Sequence, residues 1–262
     1  MTFRTVDISD PVPGAPGLRH VTVKSPALGR RTDVSVCISP GEEPVPLVIL
    51  LHGVYGSHWN WSVNGRSATT LDSLVAAGDV RPMALAMPSD GLWGDGSGYL
   101  RHGREDVEAF IVEEVAAIAR AVDERAGASG HLFIAGLSMG GFGAVRLAHT
   151  HPGRFTAAAG MSSVTRLDRL FEVVEEAPSL YRAEPGTDSL LDVVARLDAG
   201  RRPPLRLDCG LGDHLLEANR ALHEGLVAAA VEHGYSEHPG GHDWQYWRER
   251  LPDVLRFFDE HA

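Results

Sequence analysis

Cysteine is almost missing: Cys37 and Cys209 are the only two in 262 residues, and no C-x-x-C or Cys/His cluster with metal spacing accompanies them. That excludes a disulfide scaffold and a zinc ribbon. Both thiols lie in apolar, strand-like runs, which suits buried free cysteines and leaves a bridge between them to be settled by geometry. Positive charge is also short. Against 35 Asp and Glu stand 24 Lys and Arg, a net charge of −11 that repels a nucleic-acid backbone. No apolar run approaches the roughly 20 residues of a membrane helix. Met1 to Asp7 lacks the basic and apolar regions of a secretory leader, so a cytoplasmic protein is expected. Repeats and low-complexity linkers are absent, which leaves one domain over residues 1–262. A domain of that size buries enough apolar surface to need no metal or disulfide. Assembly into a homo-oligomer stays open.

What is present is an alternation of short apolar runs with helical patterns. Residues 1–17, with Pro11, Pro13, Gly14, Pro16 and Gly17, read as an arm. Leu18 to Lys24 and Thr32 to Ile38 read as an antiparallel strand pair. Leu47-Val48-Ile49-Leu50-Leu51 is continuous, as in a strand covered on both faces. Further strands are expected at Met83–Met87, His131–Ala135, Phe155–Gly160 and Leu205–Cys209. Val107, Phe110, Ile111, Val115, Ile118 and Val122 recur at helical spacing, with Glu113 and Glu114 facing outwards. Leu215 to Ala230 and Trp247 to Phe258 carry two more helical stripes. Strands alternating with helices predict an α/β fold, a mostly parallel central sheet flanked by helices on both faces. Residues 165–202, broken by Pro178 and Pro185, read as a helical insertion covering a site at the sheet edge.

The chemistry centres on Gly136-Leu137-Ser138-Met139-Gly140. By chance alone G-x-S-x-G turns up in roughly one chain in five of this length and glycine content, so the context must carry the argument. His131 to Ala135 reads as a strand ending at the first glycine, and Phe142 to His149 as a helix. This strand–turn–helix is what a nucleophile elbow requires, and it makes Ser138 the candidate nucleophile. A tight glycine turn with an idle serine is the weaker reading. A serine hydroxyl needs an adjacent base. In the α/β-hydrolase order Ser, acid, His, the acid is Asp213, at the tip of the Gly-rich loop after Leu205–Cys209. Asp213 could equally cap the helix that follows. Asp208, inside the strand, is the poorer candidate. Among 13 histidines, His242 is singled out by its place in Pro239-Gly240-Gly241-His242, between the last strand and the last helix. Backbone N–H groups of Val54 and Met139 are the expected oxyanion donors, with His52 and Gly53 shaping the loop.

The strings LLHGVYGSHWNW, IAGLSMGGFGA, LDCGLGDHLLEAN and PGGHDWQYW together resemble the esterase D / putative esterase family of α/β-hydrolases. That family includes tributyrin esterases, feruloyl esterases, S-formylglutathione hydrolases and mycolyltransferases. The resemblance implies the same triad, Ser138, Asp213 and His242, and the same two amides. Val54, Tyr55 and Gly56 stand where S-formylglutathione hydrolases carry a cysteine, so the tributyrin and feruloyl esterase group is the better match. Tyr55, Trp61, Trp93 and Trp244 are the candidate substrate-binding aromatics, while Trp247 fits an apolar stripe better. Trp61 falls where relatives place a tryptophan after the HG loop. The expected activity is hydrolysis of small-molecule esters with short acyl or aryl groups, without cofactor or metal. Asp90 or Asp95 as a metal ligand finds nothing to complete a site. Acyl transfer would use the same acyl-enzyme, and a binding protein could keep the fold without turnover.

Overall fold

The run Leu47–Leu51 is buried along its whole length at the middle of a nine-stranded sheet. A computed structural model describes residues 3–262. Its strands are β1 (Val6–Ile8), β2 (Leu18–Lys24), β3 (Arg31–Ile38), β4 (Leu47–Leu51), β5 (Ala84–Pro88), β6 (Arg101–His102), β7 (Glu105–Asp106), β8 (Leu132–Leu137), β9 (Ala157–Met161), β10 (Leu205–Gly210) and β11 (Gly234–His238). The α-helices are α1 (Trp59–Val63), α2 (Ser67–Ala77), α3 (Val107–Ala109), α4 (Val115–Val122), α5 (Met139–Thr150), α6 (Leu167–Leu170), α7 (Leu190–Ala195), α8 (Leu216–Ala228) and α9 (Trp244–Asp259). The sheet order is β1-β2-β3-β5-β4-β8-β9-β10-β11, with β6 and β7 paired apart from it. From β5 to β11 every pairing is parallel; β1, β2 and β3 add an antiparallel edge. This is the α/β-hydrolase architecture.

Alternation along each strand divides the interior into two layers. Leu47, Ile49 and Leu51 join the core under α4, α5 and α8, with Phe110, Phe142 and Leu226. Val48 and Leu50 face the other way, into the core that α2 and α9 close with Leu71, Trp247, Leu251 and Phe258. Because parallel strands all point one way, their carboxyl ends share one rim, where the loops after β4, β8, β10 and β11 meet. Among the described residues no helix is long and apolar enough to cross a membrane.

The structure corrects two expectations and settles a third point left open, the pairing of the cysteines. Within the N-terminal arm, Val6–Ile8 is a strand paired with β2. All its residues are exposed, so no alternation marks it; it is held by backbone bonds to a neighbour. The single helix over 107–122 is interrupted by a π-turn at Phe110–Glu114. That extra residue turns Glu114 inwards, leaving it only 1% exposed instead of facing solvent. Its carboxylate accepts from Ser25 Oγ (2.7 Å) and the Ala27 amide (2.8 Å), tying the β2–β3 turn to the helix. Cys37 and Cys209 are free and buried, with no bridge.

Arg146 on α5 is 1% exposed and is paired with Glu108 of α3, which also accepts from His151 Nε2 (2.6 Å). Burial by itself would raise the Glu108 carboxyl, but His151 and the Arg146 guanidinium bring it from 4.5 down to about 2. The stabilisation from this pairing is therefore complete above the ordinary pKa of 4.5 and is lost as the pH falls through about 2. Replacing Glu108 by Ala leaves a buried guanidinium unpaired and should cost about 3–5 kcal/mol at pH 7. Urea unfolding at a series of pH values checks this: the gap between native and variant should narrow below pH 4.5, and a gap independent of pH would refute it.

Candidate active site

Between β8 and α5 the chain reverses at Ser138, held at φ 54° and ψ −120°. A side chain rarely adopts this conformation, and a residue kept in it stores about 1–3 kcal/mol of strain. Two flanking glycines make the turn feasible. A Cβ on Gly136 would lie 2.1 Å from the Gly140 carbonyl oxygen, and one on Gly140 would lie 2.3 Å from that of Leu51. Both obstacles are backbone and cannot swing aside. Gly140→Ala should therefore displace the elbow from β4, lowering the thermal unfolding midpoint and activity together; unchanged values for both would contradict this packing. The Ser138 N–H donates to Met161 O (3.0 Å), and Ser138 O accepts from Val164 N (3.0 Å), so the neighbouring strand clamps the turn.

The loop after β10 brings Asp213 to the same rim, and the turn after β11 brings His242. The His242 Nδ1–H donates to both Asp213 carboxylate oxygens (3.0 and 2.9 Å), and the Ser138 hydroxyl donates to His242 Nε2 (3.0 Å). The Asp213 side chain is fully buried, and that of His242 is 22% exposed. Burial would raise the Asp213 carboxyl, but the His242 ring and the Leu215 amide, which donates at 2.8 Å, bring it below its ordinary value. Asp213 thus receives the amide just before α8 as well as the histidine. Two other carboxylates that could be weighed for the acid, Asp208 and Asp243, are occupied elsewhere. Asp208 accepts from Tyr246 Oη (2.8 Å), and Asp243 caps α9 through the Tyr246 amide (3.0 Å).

The loop after β4 lies against Ser138: a Cβ on Gly53 would come within 3.3 Å of the serine Cβ. His52 is buried beneath it, its Nδ1–H donating to Gly53 O (2.7 Å) and its Nε2 accepting from Asp90 N (3.0 Å). Tyr99 Oη donates to the His52 carbonyl (2.9 Å). Within this bracing, the amides of Tyr55 and Gly56 bond to Asp95 O and Gly53 O. Among the described residues, the N–H groups of Val54 and Met139 have no partner. Two unengaged amides beside a serine are what a developing oxyanion needs.

The aromatic residues divide. Trp61, expected in the pocket, is 1% exposed and donates its indole N–H to Leu51 O (2.9 Å). It is a core residue, placed there because α1 turns its apolar side towards the sheet. Trp244 is partly buried and edge-on to Trp61, with ring centroids 5.5 Å apart. Trp93 stacks on His102 at 3.7 Å and meets Tyr181 edge-on. Tyr55 is 70% exposed and donates its hydroxyl to Val173 O. Residues 165–202 hold the α6 and α7 turns and grip the loop at 90–98: Tyr181 Oη donates to Gly96 O, and Asp95 N to Glu176. Asp90, weighed as a metal ligand, instead accepts from the Leu92 and Ser97 amides and shapes that loop.

Two residues at the rim had no signal in the sequence. His214 Nδ1 lies 3.6 Å from Asp213, its ring 4.5 Å from that of His242. Asn219, buried in α8, donates to Ser163 O (3.0 Å) just beyond β9. Both are fixed by contacts between segments distant in sequence.

Comparison with known proteins finds similar chains among esterases and serine hydrolases. A family model described as putative esterase matches residues 25–258. An acetyl esterase of Caldicellulosiruptor saccharolyticus is 24% identical over 236 residues, spanning 83% of this chain and 85% of that protein. Among solved structures, a ferulic acid esterase superposes with a TM-score of 0.78 at 25% identity, covering 99% of both chains. The substrate-bound fluorophosphonate-binding serine hydrolase F of Staphylococcus aureus gives 0.77 at 20% identity, covering 91% of this chain and 96% of that one.

Proposed function

Because the chain belongs to the putative esterase family, we propose that it cleaves short-chain acyl and aryl carboxylic esters through an acyl-enzyme on Ser138. The chain is a carboxylesterase-type hydrolase, and the finer reading rests chiefly on one observation: the unbroken hydrogen-bond chain from Asp213 through His242 to Ser138. The carboxylate keeps the ring proton on Nδ1, so Nε2 presents a lone pair to the serine hydroxyl. As Oγ attacks the ester carbonyl, His242 takes its proton and Asp213 stabilises the imidazolium. The carbonyl oxygen gains charge beside the amides of Val54 and Met139, whose alignment needs no reorganisation during reaction. His242 then returns the proton to the departing alcohol, and a water repeats the sequence to release the acid.

The similarity to an acetyl esterase and a ferulic acid esterase supports small acyl and aryl groups. Tyr55, beside the Val54 amide and bonded to Val173 O, is the aromatic in this reading that would meet the acyl or aryl group, with the 165–202 segment behind it. The test is labelling by a fluorophosphonate together with rates on a graded series of p-nitrophenyl esters and a feruloyl ester. Labelling should vanish in Ser138→Ala, and acetate to butyrate should be cleaved faster than long-chain esters. A native protein that takes no label would overturn the acyl-enzyme reading, and a preference for long chains would overturn the substrate class.

A further inference from the structure

His214 contributes nothing to the proposed hydrolysis, yet it shares the Asp213 carboxylate with His242. One donor atom from each of Asp213, His214 and His242 lies within 4.8 Å of the others. The individual separations are 3.6 Å from His214 Nδ1 to Asp213 Oδ1, and 3.0 and 2.9 Å from His242 Nδ1 to the two carboxylate oxygens. A tetrahedral Zn2+ bound at about 2.0–2.2 Å to nitrogen and oxygen places its ligands about 3.4 Å apart. The carboxylate–imidazole spacings bracket that value and the two imidazole donors lie within 4.8 Å of each other, so side-chain movement would admit the ion. The His214 side chain is 65% exposed while that of Asp213 is fully buried, which gives the site an entrance from solvent and an anchored carboxylate at its floor.

We propose that Asp213, His214 and His242 form a site for a borderline divalent cation, Zn2+ in particular, and that its occupancy switches hydrolysis off. The inference rests on the proposed role of His242. A neutral imidazole has one proton. In the resting site it is on Nδ1, donated to Asp213, and Nε2 is free to accept from Ser138. A cation on Nδ1 needs the lone pair there, so the same proton must move to Nε2. The ring gains and loses no proton overall, but the nitrogen facing Ser138 becomes a donor and can no longer take the hydroxyl proton. The cation also removes Asp213 as partner for an imidazolium. A set of two imidazoles and one carboxylate suits Zn2+, Cu2+ or Ni2+ and discriminates against Mg2+ and Ca2+.

The probe is Zn2+ alone, added to chelator-treated full-length protein. Calorimetry on Ser138→Ala reads binding without any need for turnover, while p-nitrophenyl acetate hydrolysis by the native chain reads inhibition. His214→Ala should weaken both by at least about ten-fold, with each rate normalised to the same variant's metal-free rate. His223→Ala is the control, because His223 and His233 are hydrogen-bonded neighbours elsewhere on the chain; it should leave inhibition unchanged. Chelator should restore the native rate, and Mg2+ should have no effect. Equal inhibition of the native and His214→Ala proteins would overturn the proposal, as would Zn2+ bound at this site without loss of rate. A native chain that neither hydrolyses nor labels would refute the functional reading instead, and the calorimetric arm would still decide whether the site exists.

Discussion

Ser138→Ala lowers kcat by about 10⁶-fold while leaving the protein folded, and Ser138→Gly does the same to kcat while making the protein more stable. The two variants separate the hydroxyl from the backbone that carries it. Either change removes the nucleophile, and the hydroxyl's hydrogen bond goes to His242, whose ring stays partly exposed, so its loss is mild. Alanine keeps a Cβ in the φ 54°, ψ −120° conformation, so its strain persists. Glycine adopts that conformation freely and relieves about 1–3 kcal/mol. Against this stands the greater entropy of glycine in the unfolded chain, about 0.5–1 kcal/mol. The net gain should be about 1 kcal/mol over Ser138→Ala, read from urea midpoints of variants measured side by side. Equal midpoints would mean the turn is unstrained, and substantial hydrolysis by either variant would remove Ser138 from the chemistry. The expected outcome is a site kept at the expense of stability, as an elbow that projects a nucleophile requires.

How far this could be read from the sequence depends on the kind of signal each feature leaves. β4 and the core of β8 were legible because strands buried on both faces are continuous apolar runs. Ser138 was legible because two glycines are obligatory where the helix start meets β4. Asp213 and His242 were legible as positions in a chain order, each in a Gly-rich loop at a strand's carboxyl end. The failures share a cause. β1 is fully exposed and leaves no alternation. Glu114 looked like a solvent-facing residue because helical periodicity assumes a constant 3.6 residues per turn, and the π-turn adds one. Trp61 resembled a pocket residue because its position in the loop was clear while the direction of its ring was not; that direction is set by α1 against the sheet. The contact of His214 with His242 joins two loops that meet only because β10 and β11 are adjacent. No local pattern records such a meeting.

Asp213→Asn should lower kcat by about 10⁴-fold, whereas Asp208→Asn should leave it within a few-fold of native. The contrast follows from which carboxylate faces the ring. At Asp213 the Leu215 amide donates to Oδ1, so an asparagine would turn its carbonyl towards that amide and its NH2 towards His242 Nδ1. Two donors cannot face each other, so the ring proton transfers to Nε2 and the base is lost, although size and packing are conserved. Asp208 has the opposite balance: it is buried in β10, pushed up to about 6 by desolvation, and bonded to Tyr246 Oη. An amide oxygen can accept that hydroxyl equally well, and no imidazole depends on it. Kinetics and fluorophosphonate labelling rates should fall in parallel for Asp213→Asn, with the folded state intact by circular dichroism. A near-native rate in Asp213→Asn would show that His242 holds its tautomer without this carboxylate, and a large loss in Asp208→Asn would move the orienting charge into the strand. If instead Asp213→Asn alone is crippled, the charge that matters is the one the β10 loop delivers to the rim.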